Sequence, residues 1–448
     1  MSSPQREWTA LPDIRTEPRD GAEAFEAQPL RVTILGINYA PETTGIAPYT
    51  TALAEGLASR GHRIDVVTGM PHYPEWRIAD GYDQSSSDEQ INGVDVHRRR
   101  HLVPDPPTPK GRVKMEASFG ARSVRSGWNS PDVLLCVSPT LISTAMAITR
   151  ARLSPRRPAV GVWVQDLYSL GVVETGAMDG RGARAAARFE SEILRAADGV
   201  SVIHDRFRDH VTSNLQVDPA KVEVIRNWTH IQPMGTIDKE AVRRSFGWAE
   251  DETIVLHSGN MGAKQGLENV VEAARLADAE SRRVRFVLMG DGNQRPQLEA
   301  AAVGVSRLQF VRPLPDLEFR SALAAADVLL VNEKPGVAEM AVPSKLTSYF
   351  TSGNPVLAAT DPTSTTAHEI RASGAGVHIG SGDPRELLDT ALAIGSDDVS
   401  SRRFGDAGRR YCTRVLSEDY AIDRYEGWLR RLAAARRSPA RTESVISS

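Results

Sequence analysis

Cysteine is nearly missing from this chain: Cys136 and Cys412 are the two in 448 residues, far apart and without metal-ligand spacing. That excludes a disulfide scaffold and a structural zinc site, and it fits a reducing cytoplasm. Long apolar runs are missing as well. The longest, such as the one at 133–137, are strand-sized and far short of the ~20 residues a membrane span needs. An excess of one charge is also absent, since 54 Lys and Arg nearly balance 57 Asp and Glu. There is therefore no overall electrostatic case for nucleic acid as a partner, and any basic function must be local. Glu7, Asp13, Glu17 and Asp20 stand where a signal peptide needs a basic start and an apolar block. Residues 1–29 accordingly read as a disordered tail.

What is present is alternation. The chain is too long for one ordinary core, so two domains are expected. From Leu30 onward, short apolar runs ending in Gly, Asp or Pro alternate with helical stretches. Runs at 32–35, 64–67, 133–137, 160–164 and 200–203 predict the buried parallel strands of a first α/β sheet. Runs at 254–257, 286–289, 328–331 and 356–359 predict a second. Between them, residues 227–251 mix Pro233, Gly235 and charges without a period, as an interdomain connection does. The expected division is a first domain at 30–226, a linker at 227–251 and a second domain at 252–405. A helical segment at 406–437, bearing Tyr420, Tyr425, Trp428, Leu429 and Leu432, is expected to pack back on the first domain, with a disordered tail at 438–448.

Doubly wound sheets bind ligands at the carboxyl ends of their strands, so candidate residues follow the strands. After the first run comes a turn-rich loop at 38–48, in which Gly45 would let a ligand approach the backbone closely. An ordinary strand-to-helix loop explains this segment equally well. The second domain opens with Ser258-Gly259-Asn260-Met261-Gly262-Ala263-Lys264-Gln265-Gly266, and Leu267, Val270, Val271 and Ala274 then give a helical face. The glycine-rich loop and Lys264 thus sit at a helix entrance suited to an anion, with the lysine acting as a point charge. A solvated surface lysine is the alternative.

Met289-Gly290-Asp291-Gly292-Asn293 repeats the theme as a nucleotide-side loop. It lacks the complete Gly-x-Gly-x-x-Gly series, with an acid about 20 residues on, that a nicotinamide enzyme needs. Pro343 and Ser344 mark a helix start, Leu346, Tyr349 and Phe350 its buried face, and Gly353 its stop. Ser344 and Lys345 at that N-terminus suit a departing diphosphate. A capped core helix without a ligand is the other reading.

Taken together, Pro41-Glu42-Thr43-Thr44-Gly45, Gly61-His62-Arg63-Ile64-Asp65, Ser258-Gly259-Asn260-Met261-Gly262, Gly290-Asp291-Gly292 and Pro343-Ser344-Lys345 resemble the family 4 retaining glycosyltransferases. The resemblance runs from Leu30 to Trp428 and is nearest to the WcaI-like enzymes of colanic acid and other exopolysaccharide assembly, whose signatures appear here as His72-Tyr73-Pro74, Asn227-Trp228 and Pro343-Ser344-Lys345. It implies an α/β GT-B fold of two facing, Rossmann-like, doubly wound domains. A UDP- or GDP-linked sugar would be bound mainly by the second domain, as co-substrate and with no separate cofactor. A glycan or polyprenyl-diphosphate-linked sugar would be accepted mainly by the first.

The resemblance implies donor contacts at Gly45, Gly259, Asn260, Lys264, Gly290 and Gly292, and further ones at Leu314, Pro343, Ser344, Lys345 and Ser348. It implies acceptor contacts at His72, Tyr73 and Asp166, and catalytic roles for Lys264, Asp166 and Glu339. Two departures stand out. The glutamate that binds the donor ribose in many members is Ser348 here, and a serine cannot accept from two hydroxyls as a carboxylate does. Its earlier companion position falls on Met340, so Glu339 beside it takes the sugar-facing role or stands as a surface glutamate. Asn260 replaces a basic residue common in the family, which leaves Lys264 and Lys345 as the phosphate cations.

The resemblance also implies retention, with the leaving diphosphate helping to deprotonate the acceptor hydroxyl on the same face of the sugar. No Asp-x-Asp pair follows a strand, so catalysis without bound metal is expected. Asp166 either orients the acceptor or caps the next loop. Arg98, Arg99, Arg100, His101, Lys110, Arg112, Lys114, Arg122 and Arg125, with Met115 and Phe119 interleaved, form a locally basic segment suited to anionic lipid. A solvated helix face fits them equally. The expected location is the cytoplasm, at the inner face of the plasma membrane where lipid is bound. A sugar-nucleotide epimerase and a non-catalytic nucleotide-sugar binding protein are the competing classes, and Ser348 is the best argument for the second.

Overall fold

The computed structural model describes residues 28–106, 108–169, 180–228, 235, 237–336 and 345–437. Among the described residues, one compact unit holds those from 28 to Asn227 and again from Glu418 to Arg437, and the other holds those from Trp228 to Ser417.

The first unit is built on β1 (Arg31–Leu35), β2 (Arg63–Gly69), β3 (Ser86–Ile91), β4 (Val94–Arg99), β5 (Val133–Val137), β6 (Ala159–Val164), β7 (Gly199–Val202) and β8 (Val222–Val224), in the order β3-β4-β2-β1-β5-β6-β7-β8. All pairings are parallel except β3 with β4. The central strands read as unbroken apolar runs because both faces are covered; every residue of β5 is buried. Strand β3, Ser-Ser-Asp-Glu-Gln-Ile, alternates between exposed and half-buried at the sheet edge. With so little apolar content it is invisible to a search for hydrophobic runs.

The helix Glu418–Arg437 closes this unit. Gly161 on β6 and Gly199 on β7 make room for it: a Cβ at Gly161 would lie 2.8 Å from Trp428, and one at Gly199 would lie 2.8 Å from Leu432. Tyr425, Trp428 and Leu429 are buried as a result. The structure moves the expected boundary at 405/406, which falls inside the helix Asp398–Val415. That helix stays with the second unit because its apolar face, Phe404, Tyr411 and Cys412, belongs to that unit's core. The stretch expected to be a linker likewise contains a helix, Lys239–Phe246, capped by Asp238 and ended by Gly247 at φ +71°.

The second unit carries β9 (Thr253–Ser258), β10 (Val284–Met289), β11 (Leu308–Val311), β12 (Val328–Asn332), β13 (Val356–Ala359) and β14 (Gly376–Ile379), parallel throughout in the order β11-β10-β9-β12-β13-β14. Two apolar clusters cover its faces, one with Val270, Val271 and Ala274, the other with Leu346, Tyr349 and Phe350. Among the described residues no helix is long and apolar enough to cross a membrane.

Candidate functional site

In the second unit the site is organised at the carboxyl end of β9. Gly259 takes φ +117°, and a Cβ there would sit 3.7 Å from both Cε and Nζ of Lys345. The ammonium of Lys345, at the start of the helix Lys345–Ser352, therefore lies over the first glycine of the loop. Its Nζ is 3.4 Å from Nε2 of His257, the penultimate residue of β9. His257 is fully buried, and burial first, then the neighbouring Lys345, holds its pKa well below the ordinary value. The ring is neutral, so Nδ1–H can donate to the Leu330 carbonyl at 3.2 Å while Nε2 accepts from the ammonium. Sequence reasoning missed His257, because one histidine in an apolar strand carries no sign of the lysine it will meet.

Tyr349 fixes the same helix from below. Its hydroxyl accepts the Ser258 N–H at 2.8 Å and donates to the Leu330 carbonyl at 3.3 Å, and burial pushes its pKa up to about 12. Ser348 is itself nine-tenths buried on this helix, three residues on from Lys345.

Lys264 stands exposed in the turn Ala263–Gln265, whose carbonyl at Lys264 accepts from the Lys334 N–H at 2.8 Å. A hollow of about 450 Å³ opens there, lined by Asn260, Gly262, Ala263, Lys264, Gln265 and Asn293. Lys264 thus belongs to the loop that leaves β9, and Lys345 reaches the first glycine of that loop from the start of its own helix. Asn332, buried at the end of β12, braces this loop by donating to the carbonyls of Gln265 and Gly266 at 2.8 and 2.9 Å.

Gly290 and Gly292 serve packing between loops. A Cβ at Gly290 would lie 1.9 Å from the Gly259 carbonyl, and one at Gly292 would lie 2.5 Å from that of Met261. Met261 N–H donates to Asp291 O at 2.8 Å and Gly259 N–H to Met289 O at 2.8 Å, locking the two loops together. Leu314 packs half-buried against the apolar cluster around Tyr349. Glu339, Pro343 and Ser344 lie outside the described residues.

In the first unit the loops after β1 and β2 meet on Glu42. One carboxylate oxygen accepts the N–H groups of His72 and Tyr73 at 2.7 and 2.8 Å, and the other accepts from Asn38 at 2.9 Å. His72 is buried, with Nδ1 3.0 Å from the Met70 carbonyl and its ring 4.6 Å from that of His101. Burial, and then His72, push the pKa of His101 down to about 3. Gly45, at φ +65°, needs its glycine for the turn, but the space over it is taken by the Tyr73 ring, 3.2 Å from where a Cβ would stand. The close approach expected for a donor at Gly45 is therefore made by this tyrosine.

Asp166 is exposed beyond β6, and one of its oxygens accepts the next N–H, Leu167, at 2.9 Å, so it does cap its own turn. Two neighbouring helix starts are capped by buried glutamates. Glu190 accepts from Tyr168 and Ser169 N–H at 2.8 and 3.0 Å, and Glu116 accepts from Ile142 N–H at 3.1 Å. Burial pushes the pKa of Glu116 up to about 7.

The basic segment is divided by the fold. Arg98 is buried and paired with Glu89, His101, Met115 and Phe119 are buried, while Lys110, Arg112, Lys114, Arg122 and Arg125 are exposed. The interleaved apolar residues therefore serve the core and leave the lipid expectation to the exposed cations. Among the described residues no group of three or more His, Cys, Asp or Glu is placed to hold a metal ion.

Residues 44–228 match the glycosyl transferase 4-like domain family, and residues 238–411 match the glycosyl transferases group 1 family. A protein of Escherichia coli (strain K12) named for colanic acid biosynthesis glycosyl transfer, WcaI, is 33% identical over 348 residues, covering 74% of this chain and 83% of its own length. HepE from Anabaena, solved in complex with UDP, superposes with a TM-score of 0.64 at 14% identity, over 90% of this chain and 100% of that one. Sucrose-phosphate synthase from Thermosynechococcus elongatus gives 0.61 at 18% identity, over 90% and 99%.

Proposed function

Since this chain belongs to the family 4 glycosyltransferases and has the GT-B fold of two Rossmann-like α/β domains, we propose that it moves a sugar, with retention, from a UDP- or GDP-sugar to a glycan or polyprenyl-diphosphate-linked acceptor in exopolysaccharide assembly. The observation that carries this reading is the Lys345 ammonium over Gly259, steadied by a neutral His257 at the rim of the glycine-rich loop. There, Lys345, Lys264 and the loop N–H groups face the charge that develops on the donor diphosphate as its bond to the anomeric carbon breaks. The acceptor oxygen bonds to that carbon from the same face, and its proton passes to the departing diphosphate oxygen. The lysines supply the positive charge in this scheme, so turnover needs no bound metal.

A panel of nucleotide sugars tests the reading. The true donor raises the melting temperature by linkage, and nucleotide release rises when acceptor is added. Release that ignores acceptor would point instead to an epimerase or a hydrolase, and binding without release to a non-catalytic protein. The exposed Lys110 and Lys114, with Leu102 at 58% and Val113 at 42% exposure, support peripheral contact with anionic lipid from the cytoplasmic side. Failure to float with phosphatidylglycerol vesicles at low salt removes the membrane part alone.

A further inference from the structure

The loop after β2 contains an outlier that the donor side does not use. Trp76 takes φ +52°, a region that a bulky residue occupies only when its surroundings impose it, and such strain gathers at ligand sites. The surroundings here are explicit. Glu42 ties down the backbone of His72 and Tyr73, and the Tyr73 ring rests on Gly45. Two rings are thereby set at a corner: Tyr73 and Trp76 have centroids 6.0 Å apart at 82°, with Tyr73 exposed and Trp76 half-buried. The exposed Arg112 places its guanidinium 5.0 Å from the Trp76 ring centre.

We propose that Tyr73 and Trp76 form a stacking corner for one pyranose ring of the acceptor, with the guanidinium of Arg112, held over Trp76, taking an anionic substituent on that sugar. This rests on the glycosyltransferase reading above. A pyranose offers a face of polarised C–H groups that packs on an aromatic π face, while its hydroxyls project from the rim and stay hydrogen-bonded. A guanidinium at that rim can pair with a carboxylate in two parallel hydrogen bonds. A bilayer anchor would project its rings outward. Trp76 instead lies half-buried, edge-on to Tyr73 and to His72, whose ring centre is 6.3 Å away. The corner thus suits a small rigid ring better than acyl chains.

The test uses the full-length protein and saturation-transfer NMR, with methyl glucoside, galactoside, mannoside, fucoside and glucuronide as probes. The wild type is expected to transfer saturation to the ring C–H protons of at least one. Trp76→Ala weakens that binding by about tenfold, and Trp76→Phe restores most of it. Arg112→Gln weakens the glucuronide more than it weakens the neutral glycosides. No transfer in the wild type, or equal transfer in Trp76→Ala, overturns the proposal. So does a Trp76→Ala protein that loses phosphatidylglycerol vesicles yet keeps its pyranosides, which marks a lipid anchor. If Trp76→Ala does not fold, Tyr73→Ala gives the same readout. Nucleotide sugars are added to the wild type in parallel: no melting shift with any of them sinks the glycosyltransferase reading, whereas the pyranoside result stands or falls separately.

Discussion

Lys345 can hold its ammonium over Gly259 because two distant stretches of the chain converge there: the end of β9, with a neutral imidazole and a glycine at φ +117°, and a helix pinned by Tyr349. Losing one contact of this kind to developing charge costs ~3 kcal/mol of barrier, about a hundredfold in rate. Lys345→Ala and Lys264→Ala are each expected to lower kcat by about that much while the protein stays folded. Near-normal turnover in folded protein rejects the assignment for the residue concerned. His257→Leu removes the acceptor that steadies the ammonium and the Nδ1–H bond to the Leu330 carbonyl, which keeps its bond from Tyr349, but leaves the ammonium itself, so its loss is expected to be smaller than that of Lys345→Ala in the same assay. At this scale the sequence marks Lys264 as a candidate because it follows a strand and a glycine-rich stretch, and Lys345 as a candidate because it opens a helix. His257 and Glu42 are not marked, because what they do depends on partners brought close only by folding: Lys345 is 88 residues from His257, and His72 is 30 from Glu42. Gly290 and Gly292 were read as ligand contacts, but glycine is equally required where two backbones touch, and sequence cannot tell the two needs apart.

Elements show the same division. Buried parallel strands such as β5 announce themselves as apolar runs, whereas β3 has too little apolar content and β8, at three residues, is too short to do so, and both pair at the edges of the sheet. The helix Pro109–Ser123 reads as basic and half-amphipathic in sequence, yet its inner face carries Glu116 against the start of the helix Leu141–Leu153. Burial raises that carboxyl from 4.5 to about 7, so the folded state holds its proton more tightly than the unfolded chain does. The stabilisation is complete below the unfolded value near 4.5 and is lost as pH rises through about 7. Glu116→Gln keeps an oxygen for the Ile142 N–H and cannot ionise. Urea midpoints compared at about pH 5 and about pH 8 should therefore fall more for the wild type than for this variant. Equal falls would show that Glu116 does not titrate in this range. Two buried histidines, His101 and His257, act in the opposite sense. Their lowered values make the unfolded chain the better proton acceptor, so stability drains as pH falls below about 6.5. They are common to both proteins in the comparison and cancel from it.

For the molecule as a whole, the last helix decides whether the first unit can stand. Two kinds of contact hold Glu418–Arg437 to it. Ion pairs ring the helix: Arg60 with Asp423 at 2.7 Å, Arg424 with Glu223 at 2.9 Å, Arg437 with Asp132 at 2.8 Å. These are solvent-facing, and such pairs contribute ~0–1 kcal/mol each and fade with salt. Beneath them Trp428 and Leu432 fill the hollow left by Gly161 and Gly199, Tyr425 and Leu429 are buried on the same helix, and removing a buried tryptophan costs ~3–5 kcal/mol. The apolar contact wins on magnitude. Trp428→Ala is expected to lower the first unit's stability by about that amount, while about 1 M salt changes it little. A chain ended after Ser417 takes the argument further, because it strips the cover from β6 and β7 but leaves the second unit, including the helix Asp398–Val415, whole. Scanning calorimetry of that truncated chain should lose one transition and keep a second that still rises with nucleotide. If both transitions persist at their original temperatures, the returning helix is not what completes the first core.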